Sequence, residues 1–69
     1  MPRIIIQAFS GRTVEQKREL VRRITDVVVE VFEVEPEIVT IRIEEGEKEN
    51  FARAGVLASD SKRVPVAVD

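Results

Sequence analysis

Sixty-nine residues read as one small domain, 1–69, with 11 Lys+Arg against 13 Asp+Glu and neither cysteine nor histidine. Disulfides are excluded, zinc and haem lose their usual ligands, and a net charge of −2 with three Phe, no Tyr and no Trp argues against a nucleic-acid partner. A chain this short buries only about 60% of its unfolded surface; without disulfide or metal staples, association is what remains, and the sequence predicts an obligate oligomer.

The stretch "RIIIQAF" (Arg3–Phe9) is β-branched and almost continuously apolar, which predicts a strand covered on both faces in the manner of a parallel sheet. Pro2 stands at its start, where no ladder donor is needed. "SGRT" breaks the run, with Gly11 supplying the turn. Thr13 followed by Gln16 has capping-box spacing. From Val14 to Phe32 the apolar residues Leu20, Val21, Ile24, Val27, Val28, Val31 and Phe32 recur every three or four positions, predicting a helix. Glu19 with Arg23, and Arg22 with Asp26, stand four apart on its exposed side. The late valines lower helix propensity, so packing has to hold that end helical. Glu35, ahead of Pro36, is steered away from helical angles and predicts the stop.

Residues 38–44, "IVTIRIE", alternate. Val39, Ile41 and Ile43 face one way and Thr40, Arg42 and Glu44 the other, which predicts a half-buried strand. Strand, helix and strand joined at this length predict a parallel pair with a right-handed crossover. Residues 44–50, "EEGEKEN", predict a solvated acidic loop without calcium-loop spacing. "FARAGVLAS" is too short for a helix of its own and predicts a short strand or hairpin. The closing "VPVAVD", confined to an edge by Pro65, predicts a strand that pairs with another subunit. There are no internal repeats or low-complexity segments. No apolar run reaches the ~18 residues of a membrane span, and the first residues lack a signal-peptide pattern, so a soluble, cytoplasmic chain is expected. Charged residues at 35%, with one Asn and two Gln, lean toward a thermophile's composition.

The usual catalytic groups are scarce. Without histidine or cysteine, an ordinary triad and a thiol nucleophile are both excluded, and no glycine-rich phosphate loop is present. The group nearest neutrality is a free α-amino group, whose reference pKa is about 7.7–8.0. Apolar neighbours and nearby cations lower that value toward the range a proton shuttle needs. Pro2 is followed by Arg3 and three isoleucines, so removal of Met1 would turn its nitrogen into such a base. With Met1 attached, the same nitrogen is a tertiary amide and carries no acid/base chemistry.

Pro2 opening strand one, "GRT.EQK" opening the helix, "PE.V.I" entering strand two and "NFA.AGVLAS" near the end together resemble the 4-oxalocrotonate tautomerase family, from Pro2 to about Asp60. The resemblance implies an α/β (α+β) class, a β-α-β tautomerase fold with a short C-terminal hairpin, assembled as a homo-oligomer, a hexamer. It also implies a cofactor-independent isomerase in which the mature N-terminal proline moves a proton between carbons of an enol or unsaturated keto acid. Carried over by position, Pro2 matches the catalytic proline, Arg12 the arginine that grips a distal carboxylate, and Phe51 an aromatic wall of the site. Ala54 and Gly55 stand where the family favours two glycines.

Thr40 departs from the pattern, because it aligns with a second arginine common in members active on dicarboxylates. Arg42, two strand residues on (~6.6 Å) and facing the same side, is the first candidate to replace it; Arg3 and Arg53 are others. Arg12 also reads as a solvated loop charge, Phe51 as core packing, and Arg42 as the partner of a surface glutamate. Enolisation needs only a proton shuttle and a stabilised oxyanion, so neither metal nor cofactor is required; the resemblance implies a small carboxylate-bearing substrate as the partner. Two alternatives stand beside this reading: hydration or dehalogenation by the same proline, and a non-catalytic oligomeric module.

Overall fold

The computed structural model describes residues 1–60. Strand β1 (Arg3–Phe9) leads into helix α1 (Val14–Phe32), and strand β2 (Thr40–Gly46) returns parallel to β1. The register pairs Arg3 with Thr40 and continues without slip to Phe9 and Gly46. A small antiparallel hairpin, β3 (Ala52–Arg53) and β4 (Val56–Leu57), follows. This is an α+β chain with the β-α-β order expected. The edge strand expected at 64–69 lies outside the described residues.

Thr13 caps the helix as its spacing predicts: the Gln16 amide donates to Thr13 Oγ1 at 3.1 Å, and the Thr13 amide donates to Gln16 Oε1 at 2.9 Å. On the exposed side Glu19 accepts from both Arg22 and Arg23, and these two guanidiniums hold its carboxyl below the usual glutamate value. The helix ends earlier than the proline at 36 would enforce. Phe32 is its last residue and Glu33 takes a left-handed conformation, φ 56°. Pro36 instead opens a short 3-10 turn, Pro36–Ile38, so β2 begins at Thr40 rather than at residue 38.

The expected loop at 44–50 is shorter than the charges suggest. Glu44, Glu45 and Gly46 are strand residues, paired with Gln7, Ala8 and Phe9. Their charges find partners: Glu44 accepts from Gln7 at 3.1 Å, and Glu45 accepts from Lys17 of the helix at 2.6 Å. A 3-10 turn, Lys48–Asn50, takes up the remainder. In the hairpin that follows, Ala54 and Gly55 both have positive φ, 54° and 80°, as a two-residue turn matched to strand twist requires. Ala54 pays a steric penalty there that glycine would not. Ala54→Gly is expected to stabilise the protein by about 0.5–1 kcal/mol, read as a raised thermal midpoint.

The alternation of β2 is borne out. Ile41 and Ile43 are half-buried together with Ile4, Ile6 and Ala8, whereas Arg3, Ile5, Gln7, Thr40 and Arg42 are exposed. Glu45 belongs to the Ile41 row and meets Lys17, so that row is the one beneath the helix. The two-sided cover expected for β1 is not supplied by the described residues. Ile5 is 52% exposed on the open face, and along the helix Val31 and Phe32 are 65% and 63% exposed. No described residue is fully buried. The described residues thus bring their apolar rows into alignment without enclosing them.

Candidate active site

Pro2 lies just ahead of β1, half-buried, at the edge where the sheet begins. Its carbonyl oxygen accepts the Thr40 amide at 3.1 Å and the Thr40 hydroxyl at 3.4 Å. This fixes the direction in which the proline leaves the sheet. The position expected to carry a second arginine thus contributes a neutral donor to the Pro2 carbonyl. Met1, in contrast, is 82% exposed. Here its carbonyl is bonded to the Pro2 nitrogen, which therefore stands as an amide and marks where a free amine would sit after processing.

Arg12 stands at the other end of the sheet. It sits on the loop between β1 and α1, after Gly11, whose φ of 131° is open to glycine and strained for other residues. The loop is fixed on both sides. Ser10 donates through its amide to the Gly46 carbonyl at 3.0 Å, and the Thr13 capping box follows Arg12 directly. Phe51 shares this end. Its ring meets Phe9 edge-on with centroids 5.7 Å apart, and its carbonyl accepts the Ala58 amide at 2.7 Å. Phe51 packs on Phe9, and half of its surface remains open.

Arg42 pairs in register with Ile5 on the face away from the helix. Its guanidinium lies 3.7 Å from Glu44, an exposed contact that leaves the side chain 74% open. Arg3 is opposite Thr40, and Arg53 is in the β3 hairpin. Within one chain the structure brings Pro2 to Thr40, and Arg12 into the same end as Phe51, but it does not bring the two groups together. Seven residues of β1 at ~3.3 Å each separate the ends by roughly 20 Å. The contact of Thr40 with Pro2, and a link from Ser10 to Glu47, were not foreseeable from spacing, since both join segments more than thirty residues apart. Among the described residues no cluster of three or more acidic side chains is arranged to hold a metal ion.

Residues 2–61 match the tautomerase enzyme family. A 2-hydroxymuconate tautomerase of Bacillus subtilis is 40% identical over 60 residues, which is 87% of this chain and 97% of that one. The crystal structure of YwhB, a homologue of 4-oxalocrotonate tautomerase, superposes with a TM-score of 0.82 at 38% identity, covering 88% of this chain and 100% of its own. A heterohexameric 4-oxalocrotonate tautomerase from Chloroflexus aurantiacus is similar at 27% identity and a TM-score of 0.78, over 87% of this chain and 97% of that one.

Proposed function

The chain belongs to the tautomerase enzyme family, and from that premise we propose that it is a cofactor-independent isomerase using Pro2, freed of Met1, as general acid/base. The observation that carries this reading is the placement of Pro2. It stands at the lip of the sheet, half-buried and held through its carbonyl by Thr40, behind an exposed Met1 that processing can reach. No other group of this histidine-free chain titrates ordinarily near neutrality.

In the reaction, the Pro2 nitrogen takes a proton from the hydroxyl of an enol acid. The electron pair released closes the keto C=O, and the carbon–carbon double bond shifts as the same proton is delivered to carbon. The proton leaves on one side of the conjugated system and arrives on the other, so a single carrier suffices and nothing is oxidised. Arg12 holds a carboxylate remote from the reacting carbon, and Phe51, from the same neighbouring chain as that Arg12, keeps water from the nitrogen. Arg42 is the candidate to assist at the carbonyl, where charge develops. Its partner Glu44 would have to yield it.

The working form is a homo-oligomer, a hexamer in our reading, acting in the cytoplasm on a small carboxylate-bearing substrate. Three observations support association: no described residue is enclosed within one chain, Pro2 is about 20 Å from Arg12 by strand length, and a relative is hexameric. The 69 residues then act as one domain of that assembly.

The test is conversion of 2-hydroxymuconate and of phenylenolpyruvate, which lacks the distal carboxylate, by processed protein. Arg12→Ala is expected to raise KM for 2-hydroxymuconate about 10–100-fold, the size of a charge-assisted hydrogen-bonded contact. Phenylenolpyruvate should be affected much less. Equal losses on both substrates would remove Arg12 from this role.

A further inference from the structure

We propose that Ser10 and Glu47 are positioning residues that lock the Arg12 loop to the turn carrying Phe51, an inference that rests on the functional reading above. Ser10 donates through Oγ to Glu47 Oε2 at 2.9 Å. Ser10 is two residues before Arg12. Glu47 is four residues before Phe51, and its backbone begins the turn that delivers it: the Asn50 amide donates to the Glu47 carbonyl at 2.8 Å, and the Phe51 amide to that of Lys48 at 3.4 Å. One side-chain hydrogen bond therefore spans the two segments that would form the carboxylate-binding end of the site.

The surroundings make that link selective. The last rung of the sheet, from the Ser10 amide to the Gly46 carbonyl, is made by backbone and does not depend on either side chain. Lys17 ties the first turns of the helix to Glu45 independently, at 2.6 Å. What the Ser10 hydroxyl adds is restraint on the few residues between the sheet's end and the cap at Thr13, where Gly11 gives the chain most freedom. A guanidinium held by a restrained loop loses less conformational freedom when it takes a carboxylate. Glu47 is held by Ser10 and keeps its own side of the turn in place, so the link works on Arg12 and Phe51 together.

The experiment uses the assembled, processed protein with Ser10→Ala, Glu47→Ala and, as the conservative variant, Ser10→Thr. Amide hydrogen exchange at Gly11 and Arg12 is expected to quicken about 3–10-fold in both alanine variants and to stay near the parent rate in Ser10→Thr. KM for 2-hydroxymuconate should rise by a similar factor in the alanine variants, with kcat within about twofold and KM for phenylenolpyruvate nearly unchanged. In an Arg12→Ala background Ser10→Ala should add nothing to KM. Unchanged exchange in both alanine variants overturns the proposal. So does a KM increase that is equal for the two substrates or fully additive with Arg12→Ala, which would make the link merely structural. Should the chain turn over neither substrate, calorimetric binding of 2-hydroxymuconate replaces KM. The functional reading would then have failed through Pro2, while exchange and binding still decide the role of Ser10 and Glu47.

Discussion

Protein that keeps Met1 is expected to tautomerise 2-hydroxymuconate at least ~10²-fold more slowly than the processed chain, the lower bound of what a positioned acid/base group contributes. The reason lies in one bond. An amide nitrogen shares its lone pair with a carbonyl and neither accepts nor donates a proton, whereas the freed nitrogen is a secondary amine. Pro2→Ala in processed protein leaves a primary amine at the chain end, less rigidly aimed because the ring that fixes the backbone angle is gone. Its loss should fall within ~10²–10⁴-fold, with retained Met1 the more severe of the two. The sign of the pH dependence follows as well. Only the deprotonated amine can take the enol proton, so the rate should climb as pH rises through the amine's own titration. The unprocessed form should lack that limb. Intact mass identifies the two forms, and equal rates for both would exclude the Pro2 nitrogen as the base.

Much of the fold is written in local pattern. The β-branched run and the three- and four-residue apolar spacing predict β1 and α1 with the bounds observed, and Thr13 with Gln16 makes both hydrogen bonds of its capping box. These signals are legible because each depends on residues only a few positions apart. Pattern fails where a distant partner changes what a residue costs. Glu45 looks like a loop residue, and Glu44 like the last of the strand, because unpaired carboxylates are costly against a sheet. Gln7 and Lys17, more than twenty-five positions away, accommodate them within β2. The helix stop is read from the apolar spacing, which ends at Phe32, rather than from the proline, which forbids continuation but does not say how early the chain turns; Glu33 closes the helix in a left-handed conformation.

At the candidate site the residues reached by resemblance are Pro2, Arg12 and Phe51, and the sequence carries no measure of the distance between them. Thr40 illustrates what that leaves out. As a sequence position it is an absence, the place of a missing arginine. In the structure it is a donor to the Pro2 carbonyl from the neighbouring strand, put there by the register that pairs Arg3 with Thr40. The missing charge and the retained hydrogen bond have different consequences. The first bears on which carboxylates are bound, and the second on how the proline is aimed.

The separation of Pro2 from Arg12 makes a second large effect expected: two impaired variants should repair each other. A site that needs both residues cannot be assembled at the two ends of β1, roughly 20 Å apart, around a substrate as small as 2-hydroxymuconate. In the proposed site, Pro2 of one chain would then meet Arg12 of another. Pro2→Ala protein lacks the ring-held base in every site, and Arg12→Ala protein lacks the carboxylate anchor in every site. After the two are unfolded together in equal amounts and refolded, a chain of the second kind can supply Pro2 beside a chain of the first kind that supplies Arg12. Random pairing makes roughly a quarter of the sites complete, so activity on 2-hydroxymuconate well below its KM should return to about a quarter of that of the parent. Mixing the same variants without unfolding should restore far less, as long as assembled subunits exchange slowly. If both residues of a site came from one chain, no mixed assembly would contain a complete site and no activity would return. Recovery after refolding, and its absence without it, would therefore read the geometry directly, with each chain giving its base to one site and its arginine to another.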